Sequence, residues 1–379
     1  MRKNLFQPKS LILQWHVTER CNWRCKHCYQ ERYTTPEMNL EKMEEILNQY
    51  VTLIKKWYLP RQNARLQITG GEPFIRKDFL RFLKKVHEYS HFFNWTIMSN
   101  GSYLTKNLVN TLKSLGINSF QVSMEGLKET NDEIRGPGSF QKILEAINLL
   151  NQAKIAVRVS FTLTKKNHQE IKELAEVIAP LNVKSLGVRR IVPFGLSGSQ
   201  FRNLVLEPLE LRAVYQQIEE VNKQMREKEY SLRVTGGCEN AIFNDEISAP
   251  DLMGHGRCAI VDGRIITIMP DGDALICRRC PIKIGNLYKN TLEEIYYSPV
   301  YETLREREDI PVECYLCSNF SNCLGGAKCV TYAMTGKTAP DVQCWKLFNS
   351  LKESVNYIKS PSLFKKLGLS IKNLKRNKA

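Results

Sequence analysis

Apolar residues recur with two different periods between residues 11 and 193. Short runs rich in β-branched and aromatic residues, at 11–17, 65–69, 95–99, 120–124, 157–163 and 186–192, read as strands. The stretches between them, at 40–57, 79–89, 108–115, 140–150 and 171–178, place apolar residues three and four apart, the spacing of one helix face. Six β-α units of this kind imply an α/β fold with a parallel sheet and right-handed crossovers. By pattern alone, an open partial barrel and a doubly wound sheet both fit. Past residue 193 a linker near 195–203 leads into a charged helix at about 209–229, and there the pattern gives way to a cysteine-rich segment.

Composition narrows the class without changing this picture. At 379 residues, 42% hydrophobic and 25% charged, the chain can bury a large core and has room for two domains. No run approaches 18 apolar residues, and the opening Met-Arg-Lys-Asn-Leu-Phe-Gln-Pro has no signal-peptide core. The expectation is a cytoplasmic protein that does not enter membranes, in which twelve cysteines read as metal ligands rather than disulfides.

The net charge of +16 is unevenly spread. Within 346–379 nine basic residues face the single acid Glu353, so this tail carries half of the imbalance. It reads as a solvated extension or as an electrostatic landing site for an acidic partner such as a peptide leader. Nucleic acid is disfavoured, because aromatic residues between the basic ones are sparse, Tyr357 and Phe364 among them.

The sharpest chemistry lies just after the first strand, in Cys21-Asn-Trp-Arg-Cys25-Lys-His-Cys28. Three thiolates on one short loop can hold three irons of a [4Fe–4S] cube and leave the fourth without a protein ligand. A zinc knuckle is the alternative. Zinc usually pairs such a motif with a second one further on, and residues 29–60 supply neither Cys nor His. His27 could close a local site only on a strained loop.

With the aromatic Tyr29 behind it, this C-x3-C-x2-C run resembles the cluster loop of radical S-adenosylmethionine (SAM) enzymes. The resemblance implies that SAM chelates the open iron, and that a reduced cluster splits it to give a 5′-deoxyadenosyl radical. It also decides for the partial barrel, a (βα)6 TIM-type fold with a C-terminal cysteine-rich module, its reactive loops following the strand C-termini. Gly70-Gly71-Glu72-Pro73, after strand two, matches the family segment that binds the SAM amino group. Asn100 in Ser99-Asn100-Gly101 and Ser123 in Ser123-Met124-Glu125-Gly126 match contacts to ribose and carboxylate; Glu125 stands where many relatives have Asp. Arg135, in Arg135-Gly136-Pro137-Gly138-Ser139-Phe140, could pair with the SAM carboxylate, or the segment is a helix entry with Ser139 as N-cap. Arg190-Ile-Val-Pro193-Phe-Gly195 reads as cavity wall.

Nine cysteines fall between Cys238 and Cys344, and their spacing resembles the SPASM extension that carries auxiliary iron–sulfur clusters. By position, Cys314, Cys317, Cys323 and Cys344 would hold one cluster, and Cys258, Cys277 and Cys329 most of another. Asp271-Gly272 marks a hairpin turn before Cys277. Five residues separate Cys323 from Cys329 where the family has three, a departure that bears on Cys329. Cys280, which makes C-x2-C with Cys277, is favoured over Cys238 as an added ligand, and zinc ribbons are the alternative for the whole module. The expected division is a core at 1–205, a helical linker at 206–235, an auxiliary cluster domain at 236–345 and the basic tail at 346–379. One or two auxiliary clusters would join the SAM-binding one.

The resemblance implies modification of a ribosomally made peptide or protein by crosslinking, epimerisation or oxidation. A low-potential flavodoxin or ferredoxin-type donor would supply electrons. Arg278 replaces the Asp of the formylglycine-forming branch, which ranks that activity low. Only about ten residues precede the first strand, so a leader would be read by a separate protein, the barrel rim or the tail. The enzyme alternative is a cofactor pathway, tetrapyrrole or quinone; the non-enzyme alternative is a zinc-binding, basic nucleic-acid-binding protein. No catalytic side chain is singled out.

Overall fold

Leu13 and Trp15 turn to one side of the first strand while Ile12, Gln14 and His16 turn to the other, and the same alternation runs along the strands beside it. In the computed structural model, residues 7–30, 32–195, 198–236, 258–306, 310, 312–337 and 340–347 are described. They form ten strands: β1 (Leu11–His16), β2 (Ala64–Thr69), β3 (Asn94–Ser99), β4 (Ser119–Ser123), β5 (Ala156–Leu163), β6 (Ser185–Arg190), β7 (Arg233–Thr235), β8 (Ile265–Ile268), β9 (Asp273–Cys277) and β10 (Cys280–Asn286). One sheet joins them in the order β10-β9-β8-β1-β2-β3-β4-β5-β6-β7. From β8 through β7 all neighbours are parallel, whereas β8-β9-β10 is antiparallel.

The crossovers are helical: α1 (Leu40–Lys56), α2 (Phe79–Glu88), α3 (Lys106–Ser114), α4 (Lys128–Arg135), α5 (Ser139–Gln152), α6 (Ile171–Ile178), the single turn α7 (Gly198–Phe201) and α8 (Pro208–Glu227). The longer ones, α1, α2, α3, α5, α6 and α8, bury an apolar stripe against the sheet; the Trp15 ring meets the edge of Phe82 on α2 at 5.2 Å. Outer residues such as Leu13, Trp15, Leu66, Ile68, Trp95 and Val159 are buried, and the inner face is polar. The result is an α/β partial barrel that does not close.

Two features depart from the expected organisation. The stretch read as a helical linker also contributes β7, whose three residues extend the sheet beside β6. The cysteine-rich module shares the barrel's sheet, since β8 pairs with β1 from Ile12↔Ile265 to Trp15↔Ile268. Five short helices follow: α9 (Leu292–Tyr296), α10 (Pro299–Glu306), α11 (Val312–Tyr315), α12 (Phe320–Cys323) and α13 (Lys328–Thr335). Ser139 is not the N-cap of α5. Gly138 holds that place at φ 75°, and Asp132 on α4 does the capping by accepting the amides of Gly138 and Phe140 at 2.9 and 2.8 Å.

Among the described residues no helix is long and apolar enough to cross a membrane. Cys238 and nearly all of the basic tail lie outside the described residues.

Candidate functional site

The loop carrying Cys21, Cys25 and Cys28 leaves the C-terminal edge of β1 and stays attached to the segment after β2. Gly71 donates to the Thr18 carbonyl and Glu72 to that of Arg20, both at 2.8 Å. This contact explains the paired glycines. A Cβ on Gly70 would sit 2.5 Å from the Thr18 carbonyl oxygen, and one on Gly71 2.4 Å from that of Arg20. Their bareness therefore makes room for the cysteine loop itself.

Glu72 is fully buried and ties strand ends together. Its carboxylate accepts Ser99 Oγ and the Asn100 amide at 2.9 Å and the Phe74 amide at 3.2 Å. Burial raises its pKa to about 7, against the pull of those hydrogen bonds. Pro73 opens the short turn that Glu72 caps. Asn100, held by its own Nδ2 bond to Asn22 at 2.9 Å, directs the same nitrogen at Cys21 Sγ from 4.0 Å.

A second buried hub lies across the loop. Arg135, the last residue of α4, donates from Nε and Nη2 to Glu125 Oε1 at 3.2 and 2.5 Å. His27 Nε2 is 3.1 Å from the same oxygen, and the Thr162 amide on β5 donates to the other at 2.6 Å. Burial alone would raise the Glu125 carboxyl, yet the neighbouring His27 and Arg135 outweigh it and bring it down to about 2. Arg135 keeps Nη1, which points at Cys25 Sγ from 3.9 Å. Ser123 ends β4 on the inner face.

This environment suits a multi-iron cluster. Burial pushes the Cys21 thiol up to about 11 and raises Cys25 too, although the Arg135 charge pulls Cys25 part of the way back. A metal must displace those protons, after which the Trp23 amide at 3.4 Å from Cys21 Sγ, the Gln30 amide at 3.5 Å from Cys28 Sγ, Asn100 and Arg135 all offer N–H groups to sulfur. Among the described residues no three Cys, His, Asp or Glu side chains converge on a single-ion site.

The C-terminal cysteines fall into two groups. Cys277 and Cys280 face each other across the β9-β10 turn. Burial raises the Cys280 thiol strongly, and Cys277, Cys329 and Cys258 add to the rise, which puts these four together. Cys314, Cys317, Cys323 and Cys344 line a cavity of about 390 Å³ with Phe320 and Asp341. Burial, with Cys344, Asp341 and Cys314 beside it, pushes Cys323 up to about 12.

Sequence reasoning missed the groups that connect the two cysteine regions. Tyr29, next to Cys28, stacks on Phe194 at 6.0 Å and lies under the guanidinium of Arg278, next to Cys277, at 4.9 Å. Gly195, from the expected cavity wall, packs against the Tyr29 carbonyl. His16 Nε2 and Arg278 Nε are buried here without hydrogen-bond partners among the described residues, and Glu19 approaches Arg278 only to 3.8 Å. Nothing in local spacing marks such pairs.

Comparison with known proteins identifies both halves. The sequence model of the Radical SAM superfamily matches residues 15–178, and that of the SPASM iron–sulfur cluster-binding domain matches 258–323. An AdoMet-dependent heme synthase of Methanosarcina barkeri is 23% identical over 86% of this chain and 93% of its own length. The mycofactocin maturase MftC of Mycolicibacterium smegmatis is 24% identical over 88% and 82%. In fold, the chain resembles Streptococcus suis SuiB bound to its precursor peptide SuiA, with a TM-score of 0.70 at 20% identity, over 90% of this chain and 77% of that one. It also resembles anSMEcpe with bound AdoMet, with a TM-score of 0.70 at 16% identity, over 92% and 100%. The two domains imply a SAM-binding [4Fe–4S] cluster and auxiliary iron–sulfur clusters behind it. The chain is a radical SAM enzyme with a C-terminal SPASM domain.

Proposed function

We propose that Cys21, Cys25 and Cys28 hold the SAM-binding cluster, and that the enzyme modifies a ribosomally made peptide or protein by crosslinking, epimerisation or oxidation. When bound, the cluster supplies the electron that splits the SAM sulfonium and so provides the radical that takes a substrate hydrogen. The observation that carries this reading is the placement of three thiols at the C-terminal edge of β1, each with an N–H group of Trp23, Gln30, Asn100 or Arg135 aimed at a sulfur. These donors favour the thiolate form and tune the potential of whatever it binds.

The remaining residues divide the SAM contacts. Glu72 is committed to Ser99 and Asn100, so within 70–73 the backbone at Gly70, Gly71 and Pro73 is left to meet the SAM amino group. Asn100 and Ser123 face the ribose and carboxylate. Arg135 is held by Glu125 and acts through Nη1 alone, as a fixed cation beside Cys25. Cys258, Cys277, Cys280 and Cys329 form one auxiliary ligand set, and Cys314, Cys317, Cys323 and Cys344 the other. A low-potential flavodoxin or ferredoxin-type protein delivers the electrons.

The peptide reading is supported by the likeness to MftC and by a fold shared with a structure bound to its precursor peptide. A second reading, side-chain processing of a tetrapyrrole cofactor, is favoured by the near full-length match to a heme synthase. Reduced, reconstituted protein given SAM and dithionite should release 5′-deoxyadenosine; none would refute the radical assignment. A mass change in a short peptide encoded beside the gene, against one in an iron tetrapyrrole, separates the two substrates.

A further inference from the structure

Residues 17–38 leave β1, carry three cysteines and return to α1, and one side chain fastens both ends of this excursion. Arg76 follows the turn opened by Pro73 and is 5% exposed. Its Nη1 donates to the Val17 carbonyl at 3.0 Å, where the chain leaves β1, and its Nη2 donates to the Met38 carbonyl at 2.7 Å, just before α1 begins. Asp78 fixes the orientation of the same guanidinium, accepting Nε at 2.6 Å and Nη2 at 3.0 Å. All three guanidinium nitrogens are engaged at once, an arrangement that needs a rigid planar fork.

Glu37, next to Met38, makes a second tie between the same two limbs. Its carboxylate accepts Arg20 Nε and Nη2 at 2.8 and 3.0 Å as well as the Thr18 hydroxyl, and it lies 3.9 Å from Arg76 Nη1. Thr18 and Arg20 are the residues whose carbonyls accept the Gly71 and Glu72 amides. The limb leading into Cys21 is therefore held on its backbone by the segment after β2 and through its side chains by Glu37. Farther out, the Gln30 side chain crosses back to the Glu19 carbonyl at 2.7 Å. None of these ties uses a sulfur atom, so all of them are compatible with thiolates that ligate a cluster.

We propose that Arg76 is a positioning residue for the radical chemistry: by fastening Val17 and Met38 it fixes the span of backbone that carries Cys21, Cys25 and Cys28, and so sets how the cluster of that loop meets SAM. This inference rests on the reading that those cysteines hold the SAM-binding cluster. Closing a long loop costs chain entropy that grows with its length, and a loop already closed by Arg76 spares ligand binding that cost.

The test compares reconstituted full-length wild type with Arg76→Lys and with Glu37→Ala, which leaves the buried guanidinium in place. Lysine keeps the charge but offers a single nitrogen, which cannot hold Asp78 and both carbonyls in fork geometry. Arg76→Lys should speed amide hydrogen exchange across 17–38 and weaken SAM binding, each about tenfold. It should also alter the electron paramagnetic resonance signal that the reduced first-loop cluster gives with SAM, with auxiliary iron unchanged. Glu37→Ala should shift the same readouts in the same direction by less. A residue that only stabilised the fold would lower the melting temperature and leave the affinity and signal of the folded protein at wild-type values. That result in Arg76→Lys, or in Glu37→Ala should the lysine variant not fold, would overturn the proposal. A wild type whose iron signal does not respond to SAM would refute the cluster reading itself.

Discussion

Arg190, at the end of β6, reaches Asp341 through two hydrogen bonds of 2.9 and 2.7 Å, with both side chains almost fully buried. Asp341 accepts the Ala327 amide at the start of α13, and its carbonyl accepts the Cys344 amide at 3.0 Å. Gln343 joins the same guanidinium at 3.0 Å and donates to the Leu206 carbonyl at 2.7 Å. One ion pair thus ties the barrel to the segment between Cys329 and Cys344.

Breaking that pair leaves a buried carboxylate without its cation. Arg190→Ala should destabilise the protein by about 3–5 kcal/mol and melt it at lower temperature. Because Cys344 and Cys329 hang on the same segment, the auxiliary iron of the variant should fall while iron at the first loop is kept. Electron paramagnetic resonance of the reduced variant would then show weakened auxiliary signals beside an intact signal from the first loop.

Gly71→Ala brings a methyl against the Arg20 and Glu19 carbonyls, which are backbone and cannot swing aside. The strain, about 1–3 kcal/mol for such overpacking, falls on the cysteine loop. The variant should bind SAM more weakly and hold less iron at the first site, measured by equilibrium dialysis and iron assay, with auxiliary iron unchanged.

Glu72 makes stability depend on pH in an unusual direction for a carboxyl. Its folded pKa of about 7 lies above the ordinary 4.5, so the folded state holds the proton more tightly. The stability linked to it is fully present below about 4.5 and is lost as pH rises through about 7. Glu72→Gln cannot titrate. In urea denaturation of metal-free protein, the wild type should lose up to about 3 kcal/mol relative to this variant between pH 4.5 and 8.

The auxiliary ligand set separates two cysteines. Cys280→Ala should remove auxiliary iron and sulfide, because Cys280 shares its surroundings with Cys258, Cys277 and Cys329. Cys238→Ala should leave both contents unchanged. The reverse pattern in metal and sulfide analysis would exchange their roles.

Much of the barrel was legible because alternation and helical spacing are local. Trp15, Leu66 and Val159 announce their strands through their neighbours. The hairpin of β8 and β9 was also marked, by its Asp271-Gly272 turn. The three-residue strand β7 and the pairing of β8 with β1 were not, since they depend on partners far along the chain. In the site, the cysteine spacings and the Gly70-Gly71 pair could be read directly. The meaning of the glycines could not, since it depends on the Arg20 carbonyl lying opposite. Nor could the commitment of Arg135 and His27 to Glu125, or of Arg190 to Asp341 across 151 residues, because burial turns such pairs from surface charges into structural ties only once the fold exists.

The account stands or falls on the first cysteine loop. Cys21, Cys25 and Cys28 changed together to Ala, in protein reconstituted anaerobically and reduced with dithionite, should produce no 5′-deoxyadenosine from SAM while auxiliary iron remains bound. SAM cleavage at the wild-type rate in that triple variant would contradict it.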